Sequence, residues 1–183
     1  MKRHIIILTL CLLALCGKPH RAAAQFLSAK VNALAAFTGT VNVGVDAAVT
    51  DKWTLDISGY WNPINTNSFS CRLYAAQVGA KRWIYEAFVG HFIGGQLTYG
   101  NYLYGGSRRY FKGDMAGVGF SYGYAWLLSK RWNITAEIGI GVYRMTDTRR
   151  DRTLPEYESI YIHHYKRWVI SPSRAEVSFN YLF

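Results

Sequence analysis

The chain predicts an all-β fold: an eight-stranded antiparallel up-and-down β-barrel of the small transmembrane, outer-membrane type. Three observations carry that expectation. Apolar and polar residues alternate with a period of two through segment after segment, which sets them on opposite faces of strands. After Ala24 no stretch approaches the roughly 18 apolar residues of a membrane helix, and helical periodicity is lacking. The last residues put Ala175, Val177, Phe179, Tyr181 and Phe183 on one face and Glu176, Ser178 and Asn180 on the other, as the closing strand of a barrel in lipid would.

The N-terminus fits export. Met1-Lys2-Arg3-His4 is basic, Ile5 to Cys16 is almost wholly apolar, and Ala22-Ala23-Ala24 offers small residues for cleavage. Residues 1–24 read as a cleaved signal peptide, too short in its apolar part to span a bilayer. Leu15 before Cys16 does not suit lipidation. The remaining residues, 25–183, form one domain. Cys11 and Cys16 leave with the signal, so Cys71 stands alone; an intramolecular disulfide and a paired-cysteine metal site are excluded. Removing Lys2, Arg3, Lys18 and Arg21 from the 21 basic residues leaves 17 against 11 acidic ones. The excess sits in expected loops, and export argues against nucleic acid.

The strands follow in order. Val31, Ala33, Ala35 and Phe37 suggest the first, opposite Lys30 and Asn32. Val41 to Val49 and Trp53 to Trp61 give the second and third, with Asp46 and Asp56 on their polar faces. Tyr74, Ala76, Val78 and Ala80 suggest the fourth; the fifth lies within 88–99, where both faces are mixed. Ala116 to Trp126 and Trp132 to Val142 give the sixth and seventh, and Ala175 to Phe183 the eighth. On the apolar faces of the five clearest strands no position is charged. Lipid contact would enforce that, since Lys or Arg at the bilayer midplane costs roughly 2–4 kcal/mol.

The connections would be short on the periplasmic side, at 50–52, 82–87 and 129–131. The outer ones fall at 38–40, 62–70, 100–113 and 145–172, the last two long. This asymmetry is usual for such barrels. It sets Trp53, Trp126, Trp132 and Phe183 at one level, with Trp83 close by, as an interfacial aromatic girdle.

An eight-stranded barrel is filled by side chains. Asp46, Asp56, Glu137 and Glu176 should therefore meet Arg174, Lys30 and Lys81 inside, spread over several strands as a charge-cancelling structural network. Arg108, Arg109, Lys112, Arg149, Arg150 and Arg152 are candidate loop contacts to lipopolysaccharide phosphates or a protein. The adjacent His163 and His164 would point opposite ways on an extended segment and give poor support to a metal site. His91 and His163 as bases, with Ser107 or Ser159 as nucleophiles, lack any flanking catalytic signature. No catalytic residue, cofactor or metal is expected. Gly117/Gly119 and Gly139/Gly141 lie in alternating segments with no helix following, so they make room inside a barrel and bind no dinucleotide.

Two resemblances add to this reading. The terminal strand resembles the signal by which outer-membrane proteins reach the barrel-assembly machinery. Asn42-Val43-Gly44-Val45-Asp46, Lys52-Trp53-Thr54-Leu55-Asp56 through Pro63, Gly117 through Tyr124, Lys130 through Ile134 and Glu137-Ile138-Gly139-Ile140-Gly141 resemble the family called domain of unknown function 3575. The resemblance implies an outer-membrane barrel without a known activity or ligand, accessory to fimbrial surface proteins. The expected role is structural or adhesive, through the outer loops. A small lipid-modifying enzyme and an exported soluble ligand-binding barrel are the alternatives.

Overall fold

The structure, a computed structural model, describes residues 27–66, 68–107, 109–151 and 164–183. The expected signal peptide and Arg108, Arg152, Ser159 and His163 lie outside the described residues. Eight strands run up and down: β1 (Leu27–Asn32), β2 (Val41–Thr50), β3 (Trp53–Asn62), β4 (Phe69–Trp83), β5 (Gly90–Gly106), β6 (Arg109–Ser129), β7 (Trp132–Asp151) and β8 (His164–Leu182). Each pairs antiparallel with the next, and β1 closes on β8. One short helix, α1 (Ala33–Phe37), follows β1.

A row of paired residues can be followed once around the wall. It leaves β8 at Phe179 and passes through Val31, Val43, Gly59, Ala76, Tyr99, Ala116 and Arg144. It returns to β8 at Trp168, eleven residues from its start, one of which is an extra bulge residue. The stagger is therefore ten residues, which tilts the strands about 40° from the barrel axis. Tilt brings side chains far apart in sequence to one level of the interior.

The first strand is shorter than expected. Ala33, Ala35 and Phe37 belong to α1, because Asn32 turns its side chain to accept a hydrogen bond from the Ala35 N–H at 3.2 Å. Asn is a preferred cap, and Ala-Leu-Ala-Ala favours helix. The same Asn32 amide donates to the Ala175 carbonyl and accepts from the Val177 N–H, both at 3.4 Å, tying the helix to β8.

The two long outer loops are also mostly strand. β5 and β6 continue to Gly106 and from Arg109, and β7 and β8 to Asp151 and from His164. Pro172 lies inside β8, not at its start. Between Gly139 and Ile140 of β7 the register shifts: Gly139 pairs with Arg174 and Ile140 with Pro172, leaving Ser173 as the bulge. A bulge is where a strand tolerates proline, which has no N–H for the ladder. Both Ser173 and Arg174 consequently turn inward and are buried.

The exterior carries an apolar belt. Ile57, Leu97, Phe120, Ile138 and Ile140 are all more than 60 % exposed. Outward charges stay at its borders: Arg82 over the Trp53 ring at the short-turn end, Arg72 over Tyr74 at the other. The interior is the reverse, lined by buried Lys, Arg, Asp, Glu, Gln, Asn, Ser and Thr. Its short-turn end is filled by an apolar cluster of Ala48, Trp83, Phe88, Phe92, Ala125 and Leu182. Trp83 thus stands inside, 2 % exposed and donating from Nε1 to Thr54 Oγ1, and not with the exterior girdle expected of it. Phe88 holds φ at 69°, an uncommon conformation for an aromatic residue. Its burial in this cluster and the hydrogen bond from Asn133 to its carbonyl hold it there.

Candidate functional site

The most concentrated chemistry lies at mid-height in the lumen. Arg174 of β8 points its guanidinium across the interior. Nη2 donates to Asp56 of β3 at 2.8 Å and Nη1 to Glu137 of β7 at 3.0 Å, while Nε lies 3.6 Å from Glu176. Lys30 Nζ sits 3.6, 3.5 and 3.6 Å from Asp46, Asp56 and Glu176. Lys81 Nζ lies 3.5 Å from Asp46 and 3.3 Å from Glu137. All seven side chains are nearly inaccessible to solvent. The tilt of the wall gathers into one cluster charges that the sequence places on separate strands.

Neutral groups complete the network. Tyr60 directs its hydroxyl at Glu176, 2.6 Å away, with Gln77 at 3.0 Å. The Gln77 carbonyl also accepts from Arg174 at 3.0 Å, and its amide donates to Thr98 and to the Ser173 carbonyl. Gln96 donates to Ser173 Oγ at 2.8 Å. Tyr60, Gln77, Gln96 and Ser173 are absent from the sequence-derived candidates. Tyr60 shares a face with Asp56, and Gln77 with Lys81, so two-residue parity holds the signal for both. Ser173 carries no such signal, because its direction depends on the bulge.

Chemically the cluster sets four carboxylates against three cations, and its bonds link strands that are not neighbours, β3 to β8 and β4 to β7. Charges stripped of water must be paired and hydrogen-bonded. The arrangement holds the walls of the cylinder at fixed separation.

A second cluster lies toward the loop end, beyond the belt. Asp147, expected in a loop, is buried; it accepts from Arg167 Nη2 at 2.8 Å and from the Tyr102 hydroxyl at 3.2 Å. Burial, together with the Asp147 carboxylate, pushes the Tyr102 hydroxyl above its ordinary range. Of the loop candidates, Arg109 and Lys112 are exposed on β6, and Arg149 and Arg150 lie on β7.

Of the catalytic candidates, the two within the described residues, His91 and Ser107, do not come together. His91 faces the exterior near the short-turn end, with Nδ1 2.6 Å from the Tyr122 hydroxyl and its ring against Tyr124. Ser107 lies at the far tip of the β5–β6 hairpin. Trp53, Trp126, Trp132 and Phe183 are each about half exposed on the outside of the short-turn end. There Trp132, Tyr181 and Phe183 pack edge to face at 5.0 and 4.9 Å.

A closed eight-stranded up-and-down barrel with an apolar exterior and an ionic interior is thus the class that the fold and its central cluster define. The chain belongs to the family described as "Protein of unknown function (DUF3575)", whose model matches residues 6–183. No curated protein and no solved structure matches it.

Proposed function

We propose that the chain is a bacterial outer-membrane β-barrel that serves as a structural or adhesion-type accessory protein. Its belt faces lipid, and its extended β5–β6 and β7–β8 hairpins meet partners beyond the surface. One observation carries the reading: the exterior of the cylinder is apolar and uncharged where its interior is charged. A soluble barrel needs the opposite, whereas lipid requires an apolar outer band and closed strand pairing. Belt aromatics at both borders suit the two membrane interfaces. A lumen filled by Arg174 and its partners favours a scaffold over a pore.

The partners this implies are outer-membrane lipid, lipopolysaccharide and fimbrial or other surface proteins, after delivery by the barrel-assembly machinery. Two measurements test the proposal. The protein is expected in the membrane fraction, with a mobility on detergent gels that changes on heating; recovery from the soluble periplasmic fraction would refute it. Replacing residues 104–111 with a two-residue turn is expected to keep that heat-dependent mobility and to abolish surface binding. Unchanged adhesion after this trimming would remove the role given to the hairpin.

A further inference from the structure

The tall wall made by β4 to β7 bears a groove on its outer side. Its volume is about 440 Å³, and its lining includes Arg72, Tyr74, Asn101, Lys112 and Asp114. These five side chains share the outward face of the belt residues Val78, Leu97, Val118 and Phe120, because the pairing from β4 to β6 is unbroken between them. The groove therefore opens to the surroundings of the barrel and not to its lumen.

Its place relative to the apolar rows is fixed by the register. One paired row contains Arg72, Leu103, Lys112 and Thr148; the next, toward the belt, contains Tyr74, Asn101, Asp114 and Thr146. Below them come Ala76, Tyr99, Ala116 and Arg144, and then the wholly apolar Val78, Leu97, Val118 and Val142. On each of their own strands the cationic side chains of Arg72 and Lys112 thus stand on the loop-end side of the wholly apolar row, with the outward Arg144 of β7 in the row next to it. That is the side on which a lipid in the outer leaflet would change from acyl chain to headgroup.

Among the described residues neither Arg72 nor Lys112 forms an ion pair; Arg72 lies over the Tyr74 ring, 5.9 Å from its centre. Only β5 separates them, so their backbones are about 10 Å apart, and both long side chains can converge on one anion. A guanidinium presents paired donors that match phosphate geometry, and an ammonium adds a point charge. Asp114, one row nearer the belt, repels an anion from that corner and accepts hydrogen bonds. A headgroup carrying phosphate beside free hydroxyls satisfies all three side chains, while the half-exposed Tyr74 ring suits its apolar neck.

We infer that this groove binds the phosphorylated, hydroxyl-bearing headgroup of an anionic lipid in the leaflet at the loop end. The inference rests on the lipid-facing orientation proposed above. The test uses the full-length folded protein in phosphatidylcholine nanodiscs doped with diphosphoryl lipid A, with retained lipid read by native mass spectrometry. Wild type is expected to retain lipid A, and the double variant Arg72→Ala/Lys112→Ala to hold it roughly tenfold or more weakly, as the loss of charge-assisted hydrogen bonds implies. Lys52→Ala, in the turn at the opposite end, is the control and is expected to retain it. Equal retention by wild type and the double variant overturns the inference. So does displacement of the lipid by inorganic phosphate alone, which would make the groove a free-anion site. Failure of the wild type to enter nanodiscs would instead overturn the membrane reading itself, and heat-dependent mobility of each variant separates misfolding from lost binding.

Discussion

Arg174 is the residue on which the interior depends. Its three nitrogens address Asp56, Glu137 and Glu176, and Gln77 adds a fourth acceptor. It reaches them because it shares the inward parity of Glu176, Ser178 and Asn180, and the bulge sets Ser173 inward beside it. Replacing Arg174 with Met keeps the volume but leaves the carboxylates with Lys30 and Lys81 only. Removing one partner of a buried ionic cluster costs roughly 3–5 kcal/mol, since the remaining charges lose pairing without regaining water. Arg174→Met is expected to lose stability of that order in urea unfolding of the refolded barrel, followed by tryptophan fluorescence. Arg174→Lys should fall between, because an ammonium keeps the charge but not the separately aimed N–H donors with which the guanidinium addresses Asp56, Glu137 and Gln77. A loss below about 1 kcal/mol for the Met variant would mean that the cluster does not brace the wall.

At the scale of the strand, glycine decides how closely the wall can pack. A methyl group at Gly139 would stand 2.7 Å from both the Phe120 carbonyl and Ser173 Oγ, whereas Gly59 faces outward with nothing within 4 Å. Overpacking of the first kind costs roughly 1–3 kcal/mol. An alanine where the backbone already suits it stabilises by about 0.4–1 kcal/mol through the unfolded chain. Gly139→Ala should therefore unfold at lower urea than wild type and Gly59→Ala at the same or higher concentration; the reverse order would contradict the inward and outward assignment. The same strands explain what could be read in advance. Within the belt, β6 and β7 must be apolar outside and small or polar inside, so alternation from Ala116 to Trp126 and from Trp132 to Val142 marks them plainly. Beyond the belt the sides exchange: Lys112 and Asp114 face out, while Phe111 and Met115 face in and are half-buried. A period-two pattern whose polarity inverts midway resembles no pattern at all, which is why residues 100–113 and 145–172 suggest loops. In β5, Phe92 belongs to the interior apolar cluster while Ile93 belongs to the belt, so both faces look mixed. Pro172 suggests a strand boundary because proline usually breaks a ladder, and no local residue announces the bulge that accommodates it. The ionic residues are legible singly by parity, but their convergence follows from the ten-residue stagger, a property of the closed wall that no segment contains.

For the whole molecule, the decisive question is which solvent surrounds the belt. The cylinder keeps its buried polar residues inside, around the Arg174 cluster, and leaves Ile138, Phe120 and Leu97 outside. In water such a surface is a liability, since monomeric soluble proteins rarely expose contiguous apolar patches of more than a few hundred Å². In lipid it is the required condition, and the two surroundings assign opposite signs to one substitution. Ile138 lies mid-belt, 69 % exposed, paired with Tyr122 and Ala175. If lipid surrounds it, Ile138→Arg costs roughly 2–4 kcal/mol, because a guanidinium must enter hydrocarbon or drag water with it. Ile84 lies in the turn beyond the belt and is 57 % exposed, so Ile84→Arg should cost at most about 1 kcal/mol near the interface. If water surrounds the barrel, both changes replace an exposed apolar side chain by a charged one and should leave folding unharmed while improving solubility. Refolding each variant from urea into phosphatidylcholine vesicles, with heat-dependent gel mobility as the readout, separates the cases. The expected outcome is a reduced folded fraction for Ile138→Arg beside a near-normal one for Ile84→Arg. Equal folding of the two, or better behaviour of Ile138→Arg without vesicles, would place the belt in water and remove the basis for the membrane role.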